Sequence, residues 1–347
     1  MSKVVFAKAP LRMALAGGGT DLEPYWSKYG GVVLNATIDQ YAYCKIEPCN
    51  CNHEKCWSFK SVDLGVEERH DFYSTPFMQG EYVDSDLQLL VNTYQYLTAK
   101  TDRHPVKITT YVEAPPGSGL GSSSALVVAL VAAIAEYHKI PLGEYDIAEY
   151  AVEIERNICD MPGGKQDQFA AAFGGFNFTE FLQDGRTIVN PLRLNYKTQN
   201  MMELSTVLYY VGKPRSDSRV IENTAKGLVD SEVVLNATHK IKEACIEYKR
   251  SLLTGDMKRI SELMETYWRS KLETNPHVAS PEILDAYEYA LQNGATGAKI
   301  SGAGGGGHMV LFTEFERRHE LITALKEKEG RVVPFKFVKH GVDVWRQ

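Results

Sequence analysis

Pro115-Pro116-Gly117-Ser118-Gly119-Leu120-Gly121-Ser122-Ser123-Ser124 runs directly into Ala125–Tyr137, where the first charged residue is Glu136. A helix that is apolar all round must lie inside the protein, so the Gly/Ser loop at its N-terminus faces an interior site. Backbone N–H groups in a first helical turn have no intrahelical partner and suit an anion such as phosphate. Gly117, Gly119 and Gly121 let the main chain approach closely and take positive φ where a nest of amides requires it. Ser122, Ser123 and Ser124 add hydroxyl oxygens, a donor type that suits Mg2+. The alternative is a glycine-rich turn that only packs the helix on a sheet. No Gly-Lys-Ser/Thr follows at Walker A spacing. The spacing of a dinucleotide-binding fingerprint is missing as well.

Outward from this loop the pattern is α+β. Val4–Lys8, Leu11–Ala16, Val32–Ala36, Gln40–Glu47 and Lys107–Glu113 read as strands. Glu23–Tyr29, Asp84–Lys100 and Tyr145–Asn157 read as helices, and Gln166–Ala172 follows a Pro/Gly turn. Past about Asn190 the chain turns to long amphipathic helices, Glu232–Leu253, Met257–Thr274 and Pro281–Asn293. A strand at His308–Thr313 and a helix at Glu316–Lys328 come after the glycine run of Gly302–Gly307. These changes divide the chain into domains 1–195 and 196–347.

The 347 residues, 44% apolar and 24% charged, have the balance of a globular protein. A formal charge of -6 supplies no bulk positive field for nucleic acid or anionic lipid, so an anionic substrate needs local basic groups. No targeting signal stands at Met1–Pro10, and Ala125–Ala135 is far short of the roughly 20 residues of a membrane span. Cys49, Cys51 and Cys56 cluster with His53 but lack paired Cys-x-x-Cys spacing, so free thiols are expected ahead of a structural metal. Reduced cysteines agree with a cytoplasmic address. A homodimer is compatible with the sequence.

Three ordered segments together resemble the signatures of the GHMP kinases: Lys8-Ala9-Pro10-Leu11-Arg12 through Asp21, Glu113–Ala125, and Lys299–Gly307. Ser124 stands where many members have alanine. The resemblance implies a ribosomal protein S5 domain 2-like N-terminal domain, a ferredoxin-like C-terminal domain and an active cleft between them. It also implies ATP and Mg2+ as cofactors, with Pro116, Gly117, Ser118, Gly119, Leu120, Gly121, Ser122, Ser123 and Ser124 around the nucleotide phosphates.

Phosphoryl transfer requires positioning, charge neutralisation and, for some acceptors, a base. Gly163-Gly164-Lys165-Gln166-Asp167-Gln168 offers a carboxylate after a tight turn, with capping of the next helix as the alternative role for Asp167. The resemblance makes Asp167 the proton acceptor and Arg12 the cation beside it. It assigns the metal to Ser123 and Glu155, with Ser122 second among the serines and Glu153 or a surface ion pair as the alternative for Glu155. Gly18, Gly19, Thr20, Asp21 and Lys165 are the expected substrate contacts, joined by Gly304 and Gly305 from the second domain. A carboxylate that accepts from adjacent hydroxyls suits a polyol. The run through Ala16-Gly17-Gly18-Gly19-Thr20-Asp21 looks closest to the heptose 7-phosphate kinase branch of the family, which implies phosphorylation of an anomeric hydroxyl. A plain hexose such as fucose, and a silent sugar and ATP sensor, are the alternatives. Lys213–Arg219 is a candidate source of donors for a substrate phosphate.

Overall fold

The computed structural model of the chain describes residues 4–49, 56–71, 82–101, 104–212 and 217–347. Among them twelve strands form two sheets. The first is built on two long antiparallel strands, β1 (Val5–Ala16) and β2 (Gly31–Pro48), with the short helix α1 (Glu23–Tyr29) between them. Its order is β12-β1-β2-β5-β3-β4, with β6 and β7 added alongside the first half of β2. Here β3 is Cys56–Ser61, β4 Val66–Asp71, β5 Val106–Val112, β6 Phe176–Phe181, β7 Thr187–Pro191 and β12 Asp343–Arg346.

The sequence pattern suggests two strands where each of β1 and β2 is in fact continuous. The break it registers is real but local. Pairing runs Pro10↔Tyr41 and then Arg12↔Thr37, so Ile38, Asp39 and Gln40 lie outside the ladder with β1, and Ile38 bridges Phe337 instead. Such an irregularity bends the pair and re-aims the side chains beyond it. Arg12 is the first ladder residue past that bend.

Helix α3 (Ser122–His138) crosses β1 and β2, and α2 (Gln88–Leu97), α4 (Glu144–Val152) and α5 (Gln166–Phe173) surround it. Val127, Val128, Leu130, Val131 and Ile134 are fully buried. Each such side chain contributes about 1.5–3 kcal/mol by leaving water, which fixes α3, and with it the loop at its N-terminus. The other face of β1 and β2 meets α8 (Glu232–Thr254) and α9 (Met257–Thr274). Burial on both faces explains why Leu11–Ala16 and Val32–Ala36 are apolar on both alternating faces except at Arg12 and Asn35.

The second sheet is antiparallel, in the order β11-β8-β10-β9, formed by β8 (Thr206–Gly212), β9 (Ala295–Ile300), β10 (Gly307–Thr313) and β11 (Arg331–Val333). Strand order 4-1-3-2 with helical connections is the ferredoxin-like arrangement. The connections are α7 (Asp217–Asp230), α8, α9 and α10 (Pro281–Gln292) on one crossing and α11 (Arg318–Leu325) on the other; α6 (Tyr196–Ser205) leads into β8. The last strand, β12, does not stay with this sheet. It returns to pair with β1, and Phe6 stacks on Trp345 at 5.6 Å between ring centres. Among the described residues no helix is long and apolar enough to cross a membrane.

Candidate active site

A cavity of about 360 Å3 opens where the α3 loop, the turn after β1, the Met161–Gly164 turn and the glycine run of the second domain converge. Gly117, Gly119 and Gly121 have φ of 70°, 76° and 73°. Gly121 is the residue before the helix, and the first intrahelical bond runs from Ala125 N to Gly121 O (2.9 Å). The amides of Ser122, Ser123 and Ser124 therefore have no acceptor within the helix, and all three residues line the cavity.

The loop is clamped by the second domain. Backbone N–H and ring Nδ1 of His308 both reach Ser118 O, at 3.0 and 2.7 Å. A carbonyl can only accept, so Nδ1 carries a proton. Burial lowers the His308 pKa to about 4, which keeps the ring neutral. A Cβ on Gly119 would stand 2.3 Å from Ser301 O, and one on Gly307 2.4 Å from Ser118 O. Glycine is needed where two backbones come this close.

Asp167, in the first turn of α5, lies against the loop: a Cβ on Gly121 would be 3.1 Å from its Oδ2. Arg12 donates to Asp167 through Nε (2.7 Å) and Nη2 (2.6 Å), and through Nη1 to Gly119 O (2.5 Å). The side chains are 5% and 17% exposed, so the guanidinium is sealed while the carboxylate keeps an open edge on the cavity.

Glu155 is fully buried, accepting from Ser123 Oγ (2.8 Å), Ser124 Oγ (2.7 Å) and Gln168 Nε2 (2.6 Å), with Arg156 Nη2 at 3.5 Å. The segment Glu153–Ile158 is a π-helical turn, not the α-helix that the spacing predicts through Asn157. The wider turn changes the facing of side chains beyond Val152 and points Ile154 and Glu155 inward. Glu153 instead accepts from Asn157 near the surface. Among the described residues no group of three or more His, Cys, Asp or Glu could hold a metal ion. One carboxylate and hydroxyl oxygens are nonetheless the donor set Mg2+ takes when phosphates complete its shell.

Asp21 is 3% exposed and accepts from Gly19 N (3.0 Å), Gln166 Nε2 (3.0 Å) and Gln166 N (3.4 Å). Gly18, Gly19 and Asp21 line the cavity. Thr20 does not; its hydroxyl accepts from Val32 N (3.0 Å), lies within reach of Gly17 O (2.8 Å) and Val32 O (2.7 Å) for its one proton, and holds the turn onto β2. Ser118 and Leu120 are likewise buried behind the loop. Lys165 lies off the cavity over the Trp26 ring, 4.0 Å from its centre. Gly304 and Gly305 pack on Val278, while Gly302 and Ala303 form the cavity wall. Lys213, Pro214, Arg215 and Ser216 lie outside the described residues, as do Cys51 and His53; Cys49 and Cys56 hold their sulfurs 3.3 Å apart.

Arg156 and Gln166, which fall beside Glu155 and Asp167 in the sequence but carry no role there, also line the cavity, as do Thr224 and Lys271, which sequence reasoning passes over. Lys271 had a readable signal. It follows Met264 by seven residues and Tyr267 by four, on the buried stripe of α9, where an unpaired lysine is costly.

Residues 88–175 match the GHMP kinases N terminal domain, and residues 248–331 match the GHMP kinases C terminal family. The D-glycero-alpha-D-manno-heptose 7-phosphate kinase of Campylobacter jejuni is 39% identical over 99% of both chains. The chain belongs to the GHMP kinase family. As such it is a phosphotransferase with an alcohol group as acceptor, in a family that uses ATP. A crystal structure named as a D-glycero-D-manno-heptose 1-phosphate kinase from Bacteriodes thetaiotaomicron superposes with a TM-score of 0.81 at 35% identity, over 99% of each chain. A bifunctional fucokinase/GDP-fucose pyrophosphorylase from Arabidopsis thaliana is more distant, at 24% identity over 92% of this chain and 31% of that one. The GHMP kinase fold accounts for both sheets and for the cleft between them.

Proposed function

We propose that this GHMP kinase moves the γ-phosphoryl group of ATP onto the anomeric hydroxyl of D-glycero-D-manno-heptose 7-phosphate, giving the 1,7-bisphosphate. The observation that carries the reading is Asp167 set beside the Gly121–Ser124 amides in one cavity, its charge held by Arg12. The sugar comes from the full-length similarity to the Campylobacter heptose 7-phosphate kinase.

In this reading the loop amides bind the triphosphate tail, and the first-turn dipole of α3 favours its negative charge. Asp167 takes the proton of the acceptor hydroxyl as the new O–P bond forms and the γ-phosphorus separates from ADP. Arg12 orients Asp167 through two hydrogen bonds, and its third contact, to Gly119 O, couples the base to the phosphate loop. Ser123 and Glu155 would hold Mg2+, which when bound neutralises charge on the transferring phosphate oxygens. Asp21 orients the sugar.

The test is product identification. Purified protein, ATP and Mg2+ are incubated with D-glycero-D-manno-heptose 7-phosphate, fucose, mannose and galactose, and the products are read by phosphorus NMR. A new anomeric phosphate on the heptose, formed at a higher kcat/KM than with any hexose, is expected. Preference for fucose would replace heptose, and ATP binding without transfer to any sugar would favour the sensor.

A further inference from the structure

Three cations line the cavity, and two are engaged. Arg12 is held by Asp167 and Gly119 O; Arg156 is held by Glu155, Gly164 O (3.0 Å) and Met161 O (3.1 Å). The third is Lys271 of α9, which is 5% exposed and whose ammonium makes no hydrogen bond or ion pair among the described residues. It lies against the turn after β1, since a Cβ on Gly19 would be 3.7 Å from its Nζ. Asp21, two residues along that turn, acts on Lys271 electrostatically without forming an ion pair.

A buried ammonium and a buried carboxylate that share a cavity but do not meet each carry a desolvation cost that contact would offset. The arrangement makes sense if a ligand atom stands between them. An alcohol oxygen can accept from the ammonium and donate to the carboxylate at once. A phosphate oxygen can only accept, and next to Asp21 it would meet a like charge. Asp21 has room for such a contact: of the four or so acceptor positions on a carboxylate, Gly19 N, Gln166 N and Gln166 Nε2 occupy three.

We infer that Lys271 and Asp21 grip a single ring hydroxyl of the sugar between them, so that Lys271 is a specificity residue supplied by the C-terminal domain. This rests on the reading of the acceptor as a sugar.

The experiment first ranks the sugars and sugar phosphates above as acceptors for the wild type, then assays every variant with the best of them and with one phosphorylated and one unphosphorylated sugar that the wild type uses. A wild type that prefers another sugar removes the heptose assignment and leaves this inference to be tested on that sugar. For Lys271→Met, the KM for sugar should rise roughly 10–100-fold, as expected for loss of a hydrogen bond to a charged group, with the KM for ATP within about twofold. Lys271→Arg should recover part of the loss. Asp21→Asn combined with Lys271→Met should cost much less than the product of the two single effects. Among monodeoxy forms of the acceptor, one should be used equally well by Lys271→Met and the wild type. Independent, multiplying effects would overturn the shared grip, as would a parallel rise in the KM for ATP. A loss confined to phosphorylated sugars would instead make Lys271 a phosphate ligand and overturn the inference. If Lys271→Met does not fold, Lys271→Gln takes its place, and an unchanged KM for sugar is equally decisive against it.

Discussion

Glu155, Asp167 and Asp21 are carboxylates within one cavity, and their neighbours separate their tasks. Asp167 has a bidentate arginine and an open edge, which fits proton acceptance. Asp21 is tied by amides and fits orientation. Glu155 is buried under two serine hydroxyls and a glutamine amide, beside the phosphate loop. For Glu155→Gln we expect the Mg2+ concentration for half-maximal rate to rise about tenfold or more, because a neutral amide is a poor ligand for a hard cation. Titration of initial rate against Mg2+ at fixed ATP checks this, and an unchanged half-saturation point would remove Glu155 from the metal site. Asp21 and Asp167 are legible as carboxylates beside glycine turns, whereas Arg12 and Glu155 come into view only through the family resemblance. The periodicity of α9 marks Lys271 as a buried lysine but not its partner, because its approach to the turn after β1 joins segments about 250 residues apart, and Gln166 reads only as the start of a helix.

At the scale of elements, two glycine loops from different domains carry the site, and each is glycine-rich because of the other. Their backbones nearly touch at Gly119 and Ser301, and again at Ser118 and Gly307. Gly119→Ala would place a methyl group 2.3 Å from Ser301 O at a residue with φ of 76°. Left-handed backbone alone costs an L-residue roughly 1–2 kcal/mol, before the collision is counted. The variant should melt at lower temperature and, because relieving the collision displaces the phosphate-binding amides, show a raised KM for ATP. Calorimetry and initial-rate kinetics would check both; wild-type values would mean that the loops are free to separate. The sequence pattern makes the close approach readable from the glycine run itself. It does not reveal the continuity of β1 and β2, because residues 38–40 leave the ladder, nor the π turn, which differs from an α-helix by the placing of one residue.

At the scale of the whole molecule, one apolar cluster runs from β1 and β2 through α8 and α9 to Leu208, Val310 and Phe312 of the second sheet, and buried histidines tie its stability to pH. His308, which clamps the phosphate loop, and His138, at the far end of α3, both have pKa values lowered to about 4 by burial. The unfolded chain has the higher histidine pKa, so it binds the protons first as pH falls from about 6.5 toward 4, and stability drops across that window. Each histidine contributes on the order of 1–3 kcal/mol to this loss. His308→Gln keeps a donor for Ser118 O and cannot titrate, so its melting temperature should fall less than that of the wild type between pH 7.5 and 4.5. Equal slopes would place the acid sensitivity elsewhere. The order of the second sheet was open to expectation only through the family resemblance. The return of β12 to β1 depends on a pairing more than 300 residues apart in sequence, between Val5 and Arg346, which no local pattern announces.

All of these scales meet in the claim that Asp167 accepts a proton beside amide-bound phosphates. Its most direct test is the single-turnover rate of phosphoryl transfer for Asp167→Asn against wild type, with ATP affinity and melting temperature measured alongside. Loss of the buried pair with Arg12 should lower stability by about 1–3 kcal/mol without abolishing the fold, because the asparagine carbonyl still accepts from the guanidinium. The transfer rate should fall about 10²–10⁴-fold while ATP affinity stays within about threefold. A folded Asp167→Asn protein that transfers phosphoryl at close to the wild-type rate would contradict the account.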